Sequence, residues 1–89
     1  MAVKKETISR KPSNLSKDEA KYLKMIGKRL RHYRLKAGYT NYEYFAYENG
    51  FNRPQYGKYE AGANIQMNTL IKILKALDVT LEEFFKGFN

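Results

Sequence analysis

The chain has 89 residues, no cysteine, and 17 Lys and Arg against 9 Asp and Glu, which gives a net charge of +8. This length allows one domain at most, and the lack of cysteine excludes disulfides, thiolate zinc sites and a cysteine nucleophile. No apolar run approaches the roughly 18 residues of a membrane span, and the N-terminus lacks the apolar segment of a secretory signal, so we expect a cytoplasmic protein. The positive charge favours polyanionic partners, with nucleic acid first and an anionic membrane surface second.

The first 15 residues are basic and contain few large apolar side chains. Such a stretch cannot bury enough apolar surface to offset the entropy of ordering it. We therefore expect a flexible basic tail over residues 1–15 and a folded domain over residues 16–89. The alternative for the tail is a basic arm that follows a DNA groove or backbone.

The first helix is predicted to begin at Ser16, because Ser16 and Glu19 form an S-x-x-E capping box. Apolar residues then recur at helical spacing; they are Ala20, Leu23, Ile26 and Leu30. The helix is expected to end before Gly38, since glycine readily takes the left-handed conformation that follows a helix.

A second helix is expected over residues 41–49, with Asn41 as its N-cap. Phe45 and Ala46 should face inward, and a small side chain at Ala46 would let two helices cross closely. Gly50 ends this helix because the turn that follows needs a positive φ.

The third helix is predicted to begin between Asn52 and Pro54 and to end near Gly62, and Asn52 and Arg53 are both candidates for its N-cap. Proline is tolerated in a first helical turn, where its missing N–H would be unpaired. Gly57 in the middle of this helix costs about 1 kcal/mol relative to alanine. Two explanations stay open for it: close packing against another helix, or a site where a phosphate or base leaves no room for a side chain. The buried side of the helix is expected to carry Tyr56 and Tyr59.

The fourth helix is predicted over Met67–Leu77 from its wide apolar stripe. A fifth, short helix begins at a T-x-x-E capping box formed by Thr80 and Glu83, and its apolar face consists of Leu81, Phe84 and Phe85. No strand alternation and no repeat occur, so the predicted fold class is all-α, with five short helices joined by tight turns.

The sequence contains none of the common enzyme signatures, such as a phosphate-binding loop, a zinc-protease motif or a nucleophile elbow. We therefore expect no enzyme activity, no cofactor and no metal. His32 is the single histidine and is interpreted as a surface or helix-end residue. The eight tyrosines could stack on unpaired bases, but tyrosines on small helices more often lie half in the core.

A helix, a glycine turn and a second helix with aromatic residues on its inner side form a helix-turn-helix pattern. Around it, the sequence resembles the Cro and lambda-repressor-like (XRE) helix-turn-helix family from Ile26 to Phe85. The segments that carry the resemblance are IGKRLRHYR, the FA at residues 45–46, the GF at residues 50–51, YGKYEAG and NTLIKILKALDVTLEEFF. The resemblance implies a compact five-helix lambda-repressor-like DNA-binding domain whose third helix reads the major groove.

The resemblance also implies site residues. The positions that match or adjoin the family's base-contacting sites are Arg53, Pro54, Gln55, Gly57 and Lys58. The positions implied to contact the DNA backbone are Asn41, Tyr42, Asn52 and Asn64. Tyr42 stands where the family often has glutamine, and its hydroxyl could keep a phosphate contact. Arg34 and Glu60 match a partly buried ion pair that joins the first and third helices of the family.

The sequence thus leads to a hypothesis of a sequence-specific, double-stranded DNA-binding transcriptional regulator. By the resemblance it is a repressor that binds as a homodimer, with no membrane partner. Phe84, Phe85 and Phe88 are candidates for the dimer contact, with core filling as the alternative for the first two. The alternative function is an antitoxin-type protein-interaction module that holds a toxin and also binds its own operator.

Overall fold

The computed structural model describes residues 15–88, which form five α-helices and no strand within that range. The helices span Lys17–Lys36 (α1), Tyr42–Glu48 (α2), Arg53–Glu60 (α3), Met67–Leu77 (α4) and Leu81–Phe85 (α5). The all-α prediction is therefore confirmed. The predicted basic tail lies outside the described residues except for its last member, Leu15.

Polar caps begin four of these helices, as the sequence predicts. In the capping box before α1, the Glu19 N–H donates to Ser16 Oγ at 3.0 Å and the Ser16 N–H donates to Glu19 Oε1 at 2.9 Å. Thr80 and Glu83 form the same reciprocal pair before α5. Asn41 caps α2 by accepting from the Tyr44 N–H at 3.0 Å.

The N-cap of α3 is Asn52, which settles the choice between Asn52 and Arg53. Its side-chain oxygen accepts from the Gln55 N–H at 2.9 Å, and this satisfies one of the unpaired donors of the first turn. Gly50, with a φ of 77°, joins α2 to this cap. Only a residue without Cβ adopts that conformation at little cost.

The core lies where α1, α2, α3 and α4 meet, and α5 covers one end of it. Its fully or nearly fully buried side chains are Leu30, Phe45, Ala46, Tyr56, Leu70, Ile73, Leu74, Leu77 and Phe84. Tyr59, predicted on the buried side of α3, is partly buried and packs against this core. Leu81, expected on the apolar face of α5, is 44% exposed, whereas Phe84 on that face is buried and Phe85 is partly buried. The helix α5 is little more than one turn long, and its last residues face the core.

The C-terminal end of the described chain is attached to α1 by Arg29. Its Nη1 donates to the carbonyl oxygen of Phe84 at 2.6 Å and to that of Lys86 at 2.9 Å, and its guanidinium lies 4.6 Å from the ring centre of Phe88. Phe84 is completely buried, so its proposed role as a dimer contact is wrong and it fills the core. Phe85 stays partly buried beside it.

Candidate nucleic-acid interface

Helix α3 packs against α1 at Gly27, where the two backbones come unusually close. A Cβ placed on Gly27 would lie 2.5 Å from the carbonyl oxygen of Glu60 and 2.7 Å from that of Tyr59. Real Cβ atoms do not approach backbone oxygens to such distances, so a side chain at position 27 would force the helices apart. In the sequence, Gly27 follows Ile26 within the segment IGKRLRHYR, and no separate role was predicted for it. A glycine inside a long helix was the available signal, because it is unfavourable there without a packing reason.

A buried ion pair joins the same two helices. Arg34 donates from Nε to Glu60 Oε2 at 2.7 Å and from Nη2 to Glu60 Oε1 at 3.0 Å, in a two-bond arrangement. A third bond runs from Arg34 Nη1 to the Tyr39 carbonyl oxygen at 2.7 Å. Arg34 is only 4% exposed, and its hydrogen bonds with the Glu60 carboxylate raise its pKa despite the burial. The guanidinium therefore stays charged and fixes the end of α3 to α1.

Tyr56 anchors the inner side of α3 and lies next to this ion pair. Its ring centre is 5.2 Å from that of Phe45 on α2 and 6.5 Å from that of Phe51 in the turn. Burial raises the pKa of its hydroxyl, and the neighbouring Glu60 carboxylate raises that pKa further. Within residues 15–88, the hydroxyl makes no well-formed hydrogen bond. The tyrosine thus stays neutral and acts here as a large packing residue.

The turn between α2 and α3 is closed by a backbone hydrogen bond. The Phe51 N–H donates to the Ala46 carbonyl oxygen at 2.8 Å, and Ala46 is fully buried where the two helices cross. Together with Gly50 these residues set the angle between α2 and α3. That angle determines which side of α3 faces away from the core.

The outer face of α3 carries four exposed side chains, those of Arg53, Pro54, Gln55 and Lys58. In the described part of the chain, no hydrogen bond or ion pair holds any of these side chains. The guanidinium of Arg53 lies 5.9 Å from the ring centre of Tyr47, which is 69% exposed. The structure thus leaves all four of the side chains implied to contact bases exposed to solvent on α3.

Gly57 lies between these side chains, and the ring of Tyr42 covers it. A Cβ at position 57 would meet Tyr42 Cε1 at 2.6 Å and its hydroxyl oxygen at 2.9 Å. The structure therefore supplies the packing explanation for this glycine. The contact also places the Tyr42 hydroxyl, from the first turn of α2, beside the middle of α3.

The asparagines implied to contact the DNA backbone occupy different settings. The side-chain oxygens of Asn41 and Asn52 are engaged as helix caps, which leaves their amide groups for other partners. Asn64 is exposed in the loop between α3 and α4. Asn41 and Asn52 therefore lie at the N-terminal ends of α2 and α3, and Asn64 lies in the loop that follows α3.

Two of the tyrosines near α2 are tied to a carboxylate. The hydroxyls of Tyr39 and Tyr44 donate to the two oxygens of Glu48 at 2.6 and 2.8 Å. These bonds lower the pKa of Glu48 and raise the pKa of each tyrosine. Their hydroxyls thus stabilise the local structure of α2.

A family model described as Helix-turn-helix matches residues 30–84. The chain belongs to the Cro and lambda-repressor-like (XRE) helix-turn-helix family. This family is a DNA-binding one, so the function is of the DNA-binding, transcription-regulator type. No match was found among curated proteins or among solved structures.

The helix-turn-helix match begins at Leu30, part-way along α1, so residues 17–29 of that helix precede it.

Among residues 15–88, no group of His, Asp and Glu side chains is arranged to hold a metal ion. None of the helices described is long and apolar enough to cross a membrane.

Proposed function

We propose that this helix-turn-helix protein binds specific sequences in double-stranded DNA and represses transcription, with the outer face of α3 in the major groove. The observation that carries the proposal is the contrast between the two sides of α3. Its inner side is fixed by Gly27, the Arg34–Glu60 pair and Tyr56, whereas the polar and basic side chains of its outer side make no hydrogen bond or ion pair within residues 15–88.

The exposed side chains suit base recognition in different ways. Arg53, in the first turn of α3, can donate two hydrogen bonds to the O6 and N7 atoms of a guanine, and Pro54 can make an apolar contact with a thymine methyl group. Gln55 can bond an adenine in a bidentate manner, and Lys58 can donate to a guanine. Residues in the first turns of a recognition helix are those that meet base edges.

The backbone contacts are assigned to groups around α3. Tyr42 offers its hydroxyl beside Gly57, and the side-chain amides of Asn41, Asn52 and Asn64 offer donors to phosphate oxygens. Such contacts fix the position of the protein on DNA without reading its sequence. We propose further that the protein binds as a homodimer, so that its operator contains two half-sites about one helical turn apart.

Selection of duplexes from a random pool, repeated across salt concentrations, tests this function. We expect one enriched, approximately palindromic sequence. The logarithm of affinity should fall with the logarithm of salt concentration at a slope of about −0.9 for each neutralised phosphate. A flat salt response without an enriched sequence would contradict the proposal. Equal affinity for single strands would instead favour stacking of tyrosines on unpaired bases.

A further inference from the structure

Four lysines form a single stripe along the N-terminal part of α1. The stripe consists of Lys17, Lys21, Lys24 and Lys28, spaced four, three and four residues apart. Residues three or four apart lie on the same side of a helix, and all four side chains are exposed. At 1.5 Å per residue, the stripe extends along about 16 Å of the helix. We call it the α1 lysine face.

No carboxylate among residues 15–88 forms an ion pair with these lysines. In the described part of the chain, the ion pair recorded is Arg34–Glu60, which involves none of the four lysines. The Lys21 ammonium lies 5.7 Å from the ring centre of Tyr22, and the nearby Glu19 carboxylate accepts from the Ser16 N–H. Like charges at this spacing destabilise a helix by a few tenths of a kcal/mol for each pair. Helix formation alone therefore gives no reason for the stripe.

The α1 lysine face is rigidly connected to the recognition helix. The Cγ atom of Lys24 would lie 3.0 Å from a Cβ at Gly62, directly after α3. The backbone contact at Gly27 lies within the same stretch of α1 and fixes it against the last turn of α3. The lysines also precede Leu30, where the family match begins. This face is thus a feature of the chain that the helix-turn-helix match does not include.

We propose that the α1 lysine face binds phosphates of duplex DNA flanking the bases read by α3, and so lengthens the DNA contact without reading sequence. A duplex strand carries one negative charge about every 3.4 Å, so it can follow the whole stripe. Ammonium groups act as compact point charges on flexible stems and suit phosphate oxygens at any sequence. This inference rests on the proposed function, since the same duplex must occupy α3.

A charge-matched pair of variants tests the inference on the full chain. The variant Lys21→Gln/Lys28→Gln removes two charges from the α1 lysine face. The control Lys72→Gln/Lys75→Gln removes two exposed charges from α4. Both are measured on the duplex selected by the wild-type protein, with affinity recorded between 50 and 200 mM salt and with hydroxyl-radical footprinting.

Because each protomer of the proposed homodimer carries one α1 lysine face, the first variant should lose four phosphate contacts and show a salt slope smaller by about 3.6, at about 0.9 for each contact. When salt rises fourfold over that range, the affinity of this variant should fall by a factor roughly a hundred times smaller than the factor for the wild type. Its base preference should be unchanged, and its footprint should be shorter at both edges, because each half-site loses the same contacts. The control should keep the wild-type slope and footprint, and Lys21→Arg/Lys28→Arg should restore both.

Equal slopes for the two glutamine variants would overturn the inference, because net charge alone would then explain any loss. An unchanged footprint in the first variant would overturn it as well. In both cases the wild type would still enrich a duplex, so the proposed function would stand. A wild-type chain that binds no duplex at any salt concentration would overturn the function and the inference together.

Discussion

The two sides of α3 differ in burial, in ion pairing and in contact with other helices. On the inner side, Tyr56 is 1% exposed, Glu60 is paired with a buried arginine, and the helix backbone touches Gly27 directly. On the outer side, Arg53 and Lys58 are exposed and have no carboxylate partner among residues 15–88. One helix of eight residues therefore carries both a structural surface and the surface that we propose binds DNA.

This difference separates two kinds of effect. Inner-side substitutions change the free energy of unfolding, and they alter DNA binding through the position of α3. Outer-side substitutions should leave stability unchanged and alter affinity or base preference directly. A substitution on the inner side that changed base preference without changing stability would break that separation.

Removal of Arg34 should have the largest effect on stability. Arg34→Ala leaves Glu60 buried without its cation and the Tyr39 carbonyl oxygen without its donor. Loss of one partner of a buried ion pair costs about 3–5 kcal/mol, measured as the free energy of unfolding in urea. The exposed Arg31 on the same helix supplies the control, and Arg31→Ala should change stability by less than about 0.5 kcal/mol.

The double variant Arg34→Met/Glu60→Leu sharpens this prediction. Replacement of both charges by apolar side chains is often neutral or stabilising, so much of the lost stability should return. If the double variant unfolds as easily as Arg34→Ala, an unpaired Glu60 charge is not the cause of the loss.

A side chain at Gly27 should have the next largest effect. Gly27→Ala places a methyl group 2.5 Å from a backbone oxygen of α3, which cannot move without moving the helix. Overpacking of this kind costs about 1–3 kcal/mol, even though alanine by itself favours helix by about 1 kcal/mol. Urea unfolding checks the loss. A stabilised Gly27→Ala variant would show that α1 and α3 do not touch as described.

A side chain at Gly57 should have a smaller effect on stability, and that effect should depend on whether the Tyr42 ring is present. Gly57→Ala meets the ring of Tyr42, a 36% exposed side chain that can turn away. The cost of displacing the ring and the gain of about 1 kcal/mol in helix propensity oppose each other, so the free energy of unfolding should change little. DNA affinity should fall, because the displaced Tyr42 hydroxyl no longer lies where we propose that it contacts a phosphate. In Tyr42→Ala/Gly57→Ala the clash is absent, and stability should exceed that of Tyr42→Ala by about 1 kcal/mol. Additive effects of the two substitutions in a double-mutant cycle would contradict the contact.

The local structure of this protein could be predicted from sequence much better than its long-range contacts. Capping boxes at Ser16 and Thr80, and the positive φ at Gly50, act over three or four residues, so short motifs specify them. The partners of Gly27 and Gly57 come from other helices, and nothing in the local sequence identifies them.

The candidate site shows the same division. The helix-turn-helix pattern and the family resemblance gave the position of α3 and the exposed set Arg53, Pro54, Gln55 and Lys58. They did not show that the Tyr42 ring covers Gly57 or that Arg53 lies near the exposed ring of Tyr47. Both contacts depend on the crossing of α2 and α3.

The central claim, that the outer face of α3 reads bases, is tested most directly by the base preference of Arg53→Ala. The variant and the wild type are compared on the selected duplex and on all its single-base-pair substitutions, at one salt concentration. We expect an unchanged free energy of unfolding and a preference lost at one base pair in each half-site, corresponding to about 1–3 kcal/mol. A uniform loss across all sequences, or no loss at all, would contradict the account.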